Sequence, residues 1–194
     1  MIARRVYLAG PEVFMRNARA MAAAMVRLCA DYGFVGVSPA DNQIDMSGYT
    51  KHEAALHIAA SNERKIRECD LVIANLTPFR GPSADVGTAY EVGFAHALGL
   101  PVFAFTNVAG TLLDRTRRTA GISVSHHASG SFEDDDQMAI EDFEGFDNLM
   151  LSGGIEGGLP VVNDVPRDRR YSDLRGLEAC LKLAAIRFGV DKKP

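Results

Sequence analysis

The chain has 194 residues, is 47% hydrophobic and 24% charged, and carries a net charge of −4. That size and balance suit one soluble globular domain spanning 1–194, and an acidic chain offers no basic field for polymeric DNA or RNA. No apolar run approaches the roughly 20 residues of a membrane span, no signal-peptide pattern opens the chain, and the scattered Cys29, Cys69 and Cys180 read as reduced thiols of a cytoplasmic protein.

Residues 4–9 read as a first strand, stopped by Gly10-Pro11. Asn17 is placed to cap a helix in which Ala18, Met21, Ala22, Met25, Leu28, Cys29 and Tyr32 share one face. Gly33 ends that helix, and residues 34–37 form a short second strand before Ser38-Pro39. Residues 50–69 are helical by pattern; 70–76, 86–99 and 101–106 follow as strand, helix and strand. Residues 107–145, with their TRRT, SHHASG and EDDD runs, break the rhythm and predict an irregular, mobile insertion or lid. Residues 159–162 supply a last strand. Residues 171–188 form a final helix with Leu174, Leu177, Leu181 and Ala185 on one face. Strand–helix alternation of this kind predicts an α/β fold, a parallel sheet with helices on both faces and right-handed crossovers.

The chemistry concentrates where the strand at 70–76 hands over to the helix starting near 86. The loop between them holds Pro78, Gly81 and Pro82, with Asp85 just before the helix and Glu91 near its start. Ligands bind at the carboxyl ends of parallel strands. Two acids there, one in the loop and one on the helix, are the arrangement expected for chemistry at a glycosidic carbon. The competing reading makes Asp85 a helix cap and Glu91 a surface residue favoured by the helix dipole. Against it, Gly87, Ala89, Gly93 and Ala95 keep the helix slim, as if something approached its backbone. Glu91 also lies between Tyr90 and Val92 in a largely apolar helix, and a buried carboxylate needs partners or a task.

Other motifs carry less. Asp41-Asn42-Gln43 offers three polar side chains to a heterocycle, or simply a turn. His52-Glu53 and His57 mimic a zinc-protease helix, but the second histidine belongs at position 56, which is Leu56. His126-His127 sits in the irregular segment and reads as solvated loop, and residues 133–136 as a solvated acidic run. GPSADVG lacks the Lys-Ser/Thr of a P-loop, and Asp85 repels a phosphate held near it. The expectation is therefore no metal and no cofactor.

Four segments together resemble the nucleoside 2-deoxyribosyltransferase family. VYLAGPEVF at 6–14 is similar to its first strand and base-pocket turn, and DNQ at 41–43 to its Asp-Asn-Gln motif. DVGTAYEVG at 85–93 looks like its catalytic D-x-G-x-x-x-E-x-G, and NLML at 148–151 like the segment a neighbouring subunit lends to the site. The likeness covers residues 5–106 and 146–152, with the insertion unmatched. It implies a flavodoxin-like open sheet of about five strands and a homo-oligomer with a shared site.

The resemblance also implies roles. Glu91 is the nucleophile at C1′ of the deoxyribose, and Asp85 donates a proton to the departing base or holds it. Tyr7 orients Glu91, while Gln43 and Phe14 contact the base and Gly87 lies on the substrate side of the helix. Asn148 reaches from a neighbour toward the sugar 5′-hydroxyl, with Met150 packed nearby. The implied partners are nucleosides and free nucleobases. At position 62 many members carry aspartate where this chain has Asn62, and the base-stacking turn Glu12-Val13-Phe14 lacks a tryptophan. An amide at 62 pairs with the donor and acceptor edge of a purine and points to purine salvage. Two other functions compete. One is N-glycosidic hydrolysis of nucleosides or their 5′-monophosphates, for which Ser83 and Ser152 offer hydroxyls. The other is non-catalytic nucleotide binding.

Overall fold

The computed structural model describes residues 3–41 and 47–190. In chain order the elements are β1 (Arg5–Ala9), α1 (Ala18–Asp31), β2 (Val35–Val37), α2 (Lys51–Arg67), β3 (Leu71–Asn75), α3 (Val86–Ala97) and β4 (Val102–Thr106). They continue with α4 (Leu112–Arg118), β5 (Ser125–His126), β6 (Phe132–Glu133), β7 (Ala139–Ile140), α5 (Leu149–Gly153), β8 (Val161–Val162) and α6 (Arg175–Phe188). Five strands form one parallel sheet in the order β2-β1-β3-β4-β8. Counted within the sheet this is 2-1-3-4-5, the flavodoxin-like order, whose switch point lies between β1 and β3.

Alternation along the strands sorts the core into two layers. Tyr7, Val72, Ala74 and Ala104 face one side and pack with Ile66 of α2, Val92 and Ala95 of α3, and Leu151 of α5. Val6, Leu8, Leu71, Ile73, Phe103 and Phe105 face the other, against Met21, Met25 and Cys29 of α1 and Leu177, Cys180 and Leu181 of α6. The central strands β3 and β4 are buried along their whole length, as a sheet covered on both faces requires. Helix α6 sits so close that a Cβ at Gly176 would lie 2.4 Å from the Phe105 ring.

Helix α2 starts with a capping box. Thr50 Oγ1 accepts from Glu53 N at 3.3 Å, and the Glu53 carboxylate accepts from Thr50 N at 2.8 Å. That commits Glu53, the acid of the zinc-protease look-alike, to local structure. Asn17 does occupy the N-cap position of α1 but makes no side-chain cap bond. The last helix begins at Arg175 and not at 171, because Tyr171 turns away to donate its hydroxyl to Pro78 O at 2.5 Å.

Residues 107–145 are more ordered than their pattern suggests. Thr111 and Asp114 build a second capping box for α4, and β5, β6 and β7 form a small antiparallel sheet. The strands are two residues each, too short for alternation to register. Among the described residues no helix is long and apolar enough to cross a membrane.

Candidate active site

Tyr7 occupies the middle of β1 with no exposed surface. Its strand borders the switch point, and its hydroxyl donates to Glu91 Oε1 of α3 at 2.6 Å. Asp85 caps α3, its Oδ2 accepting from Thr88 N at 3.0 Å and from Thr88 Oγ1 at 3.3 Å. The cap and the functional reading of Asp85 thus coexist. A Cβ at Gly87 would come within 3.0 Å of Asp85 Oδ2, which gives the glycine a local reason.

These groups open on a cavity of about 310 Å³ whose walls include Phe14, Ile58, Asn62, Asp85, Gly87 and Glu91. Five of the residues expected at the site therefore come together, with Tyr7 directly behind Glu91. Ile58 joins them because it lies one helical turn before Asn62 on α2. The Tyr90 hydroxyl donates to Glu63 at 2.6 Å and ties α2 to α3. One face of the Phe14 ring lies on Phe79, centroids 5.0 Å apart. Gln43 falls outside the described residues. Gly93, expected to admit a close neighbour, faces open space within the chain.

Electrostatics set Glu91 apart. Burial pushes its carboxyl up to about 7, the Tyr7 hydrogen bond pulls it back in part, and the charge of Asp85 raises it further. The Tyr7 phenol is raised as well, by burial and by the facing carboxylate.

Asn148 and Met150 lie elsewhere. Asn148 caps α5, accepting from Met150 N at 3.0 Å, and its amide nitrogen donates to Glu141. Both residues line a separate cavity of about 470 Å³ with Val86, Gly93 and His96, on a different face of α3 from Glu91. Ser83 borders the same cavity, but its hydroxyl donates to Asp147.

Two supporting groups were missed from the sequence. Asp147 is buried at 2% exposure. It accepts from Ala84 N at 2.9 Å and Asn148 N at 2.8 Å and pairs with Arg115 at 3.4 Å. Arg115 also donates to Pro82 O at 2.7 Å and Gly110 O at 2.9 Å, and to Phe146 O. One ion pair thereby pins the loop before α3 to the segment before α5. Glu12 is the second. It is buried beside Gly10, its Oε1 accepting from Asn75 Nδ2 at 2.7 Å. A Cβ at Gly10 would lie 2.1 Å from Glu12 Oε2. The Gly10-Pro11-Glu12 run was the available signal, since the glycine makes room for the acid.

Residues 6–150 match the family model described as nucleoside 2-deoxyribosyltransferase. An uncharacterized protein of Schizosaccharomyces pombe is 34% identical over 171 residues, spanning 81% of this chain and 81% of its own. A 2-desoxiribosyltransferase from Leishmania mexicana superposes with a TM-score of 0.60 at 28% identity, over 88% of this chain and 96% of that one. A 2-deoxyribosyltransferase from Bacillus psychrosaccharolyticus is 25% identical over 52% of this chain and 71% of its own, with a TM-score of 0.44.

Glu12 and Glu91 make stability depend on pH. Burial raises both from the ordinary 4.5 to about 7. Below the unfolded value both carboxyls are neutral folded or unfolded, and their contribution is complete. As pH climbs toward the folded value, the unfolded chain sheds protons that the folded chain keeps, and stability falls. Glu12→Gln has no proton to release. Its urea midpoint should therefore fall less than that of the natural chain between about pH 5 and pH 8, a difference on the order of 2–3 kcal/mol. Parallel pH profiles would refute the assignment.

Proposed function

The chain belongs to the nucleoside 2-deoxyribosyltransferase family, and we propose that it exchanges nucleobases on 2′-deoxyribonucleosides through a covalent bond between C1′ and Glu91, with retention. The observation that carries this reading is the Tyr7–Glu91 hydrogen bond at the wall of the 310 Å³ cavity. Members of the family act on N-glycosidic bonds.

Cleaving such a bond builds positive charge at C1′. Tyr7 holds Glu91 Oε1, which leaves Oε2 to attack from the face opposite the base. The C1′–N bond breaks, its electron pair goes to the base, and Asp85 supplies the proton or holds the base that receives it. An acceptor base then attacks C1′ from the vacated face and releases the carboxylate. Two inversions give net retention. Phe14, backed by Phe79, lies against the base, and Asn62 stands on the cavity wall where a purine edge would reach it. Transfer, as opposed to hydrolysis, requires water to stay out until the acceptor arrives.

We also infer that the site is shared between copies. Met150 is 73% exposed and Val86 84% exposed, beside the cavity that holds Asn148. Exposed apolar groups clustered in this way suit a subunit contact, and a neighbour seated there would present Asn148 and Met150 to the sugar. The Ser83 hydroxyl, committed to Asp147, favours a nucleoside over a 5′-monophosphate.

Incubation with 2′-deoxyinosine and adenine, followed by mass spectrometry, tests the reaction. Deoxyadenosine is expected. Free deoxyribose without deoxyadenosine would convert the assignment to hydrolysis, and neither product would leave only binding. Glu91→Ala should lose roughly a thousandfold or more, because the covalent path disappears.

Tyr7→Phe reads the electrostatics. The reactive form of Glu91 is the carboxylate, so kcat/KM should rise with pH through about 7. Removing the phenol takes away the hydrogen bond that lowers the Glu91 value and leaves the burial that raises it. The rising limb should move to higher pH; an unmoved limb would contradict the pairing.

Complementation tests the shared site. Glu91→Ala and Asn148→Ala chains, each inactive alone, should regain activity when mixed under conditions that exchange subunits. Persistent inactivity after demonstrated exchange would place Asn148 outside its neighbour's site.

A further inference from the structure

A third basin opens at the carboxyl edge of the sheet, on the far side of the 78–85 loop. Its volume is about 640 Å³, and its lining includes Arg80, Arg115, Arg118, Arg167, Arg170 and Tyr171 and no acidic side chain. Five guanidinium groups around one concavity are unexpected on a chain of net charge −4. Asp147 and Asp114 offset part of this charge, at Arg115 and near Arg118; the remainder repels itself and focuses a positive field into the basin.

Arg115 is already committed, to Asp147 and three carbonyls. The other four form no ion pair among the described residues. Arg170 goes further: its Nε is buried and, among the described residues, meets no hydrogen-bond partner. A buried donor without an acceptor is costly, by about 1–3 kcal/mol, and native chains retain few of them.

The basin wall is also strained. Arg80 has φ of 57°, a left-handed conformation that costs a non-glycine residue roughly 1 kcal/mol or more. Its guanidinium lies over the Phe79 ring, 4.6 Å from the centroid, and 5.3 Å from that of Phe14. Held there, Arg80 faces the basin on one side and backs the wall of the Glu91 cavity on the other. Tyr171, locked to Pro78 O, closes the floor.

We propose that this basin is a binding site for the phosphate group of a small molecule, held by Arg118, Arg167 and Arg170. Phosphate supplies the several acceptor oxygens that planar guanidinium forks match in pairs, and its double charge offsets the repulsion among them. The volume falls within the range of small-molecule sites and admits either free phosphate or the phosphate end of a nucleotide. The site is distinct from the Glu91 cavity and does not depend on what reaction occurs there.

Isothermal titration calorimetry on the full chain, at constant ionic strength set with chloride, tests the proposal with inorganic phosphate, pyrophosphate and a nucleoside 5′-monophosphate. Saturable binding is expected. Arg118 and Arg167 are both exposed, so the Arg118→Ala/Arg167→Ala double variant should melt like the natural chain. It should bind phosphate about tenfold or more weakly, and Arg118→Glu should do the same should the double variant lose its fold. Uncharged 2′-deoxyinosine should bind natural and variant chains alike, which separates this basin from the catalytic cavity. Tighter binding of the monophosphate than of inorganic phosphate identifies a nucleotide as ligand; equal binding identifies free phosphate; both support the site. Absence of saturable binding by all three anions, or equal affinities in the natural and variant chains, would overturn it.

Discussion

Tyr7 lies in a strand with neighbours on both sides and has no exposed surface, so its hydroxyl cannot reach water. It needs an acceptor, and Glu91 supplies one across the contact between β1 and α3 at 2.6 Å. The bond acts in both directions. It satisfies a buried donor, and it fixes one oxygen of a carboxylate that burial alone would leave neutral and mobile. That one pairing ties α3 to β1 and holds Glu91 at the wall of the cavity.

Three acids at this edge of the sheet are stabilised by different means. Asp147 pairs with Arg115 and accepts from two backbone amides, which makes it a rigid pin. Removing either partner of such a pair leaves a buried charge exposed to the full cost of desolvation. Glu12 has an amide partner instead and is held near neutrality by burial. Glu91 is raised to the same range by burial, with the Tyr7 hydrogen bond pulling it back in part and the charge of Asp85 raising it further. Of the three, only Glu91 lines the 310 Å³ cavity.

The 78–85 loop divides the edge of the sheet into two chambers of opposite character. One is acidic and faces Glu91 and Asp85; the other is lined with arginine. Phe79 and Arg80 form the partition. Phe79 stacks on Phe14 on the acidic side and meets Tyr171 edge-on, ring centroids 6.1 Å apart, on the basic side. Short, proline-bounded loops over a parallel sheet hold such partitions because few backbone torsions are free to move.

Strand–helix alternation, the amphipathic faces of α1 and α6 and the acids flanking the start of α3 all involve residues close in sequence. The order of the sheet's elements, the doubly covered core and the candidacy of Glu91 and Asp85 were therefore legible before any coordinates. The small β5–β7 sheet was not, because two-residue strands have no period to read. The tertiary structure alone decided the distant pairings of Glu12 with Asn75 and Arg115 with Asp147; Tyr7 with Glu91, 84 residues apart, was reachable from the sequence only through the family resemblance. It also assembled arginines from three separate segments into one basin. Local pattern determines which face of an element is apolar. Which polar groups meet across those faces depends on how the elements pack, and that information resides in no single stretch of the chain.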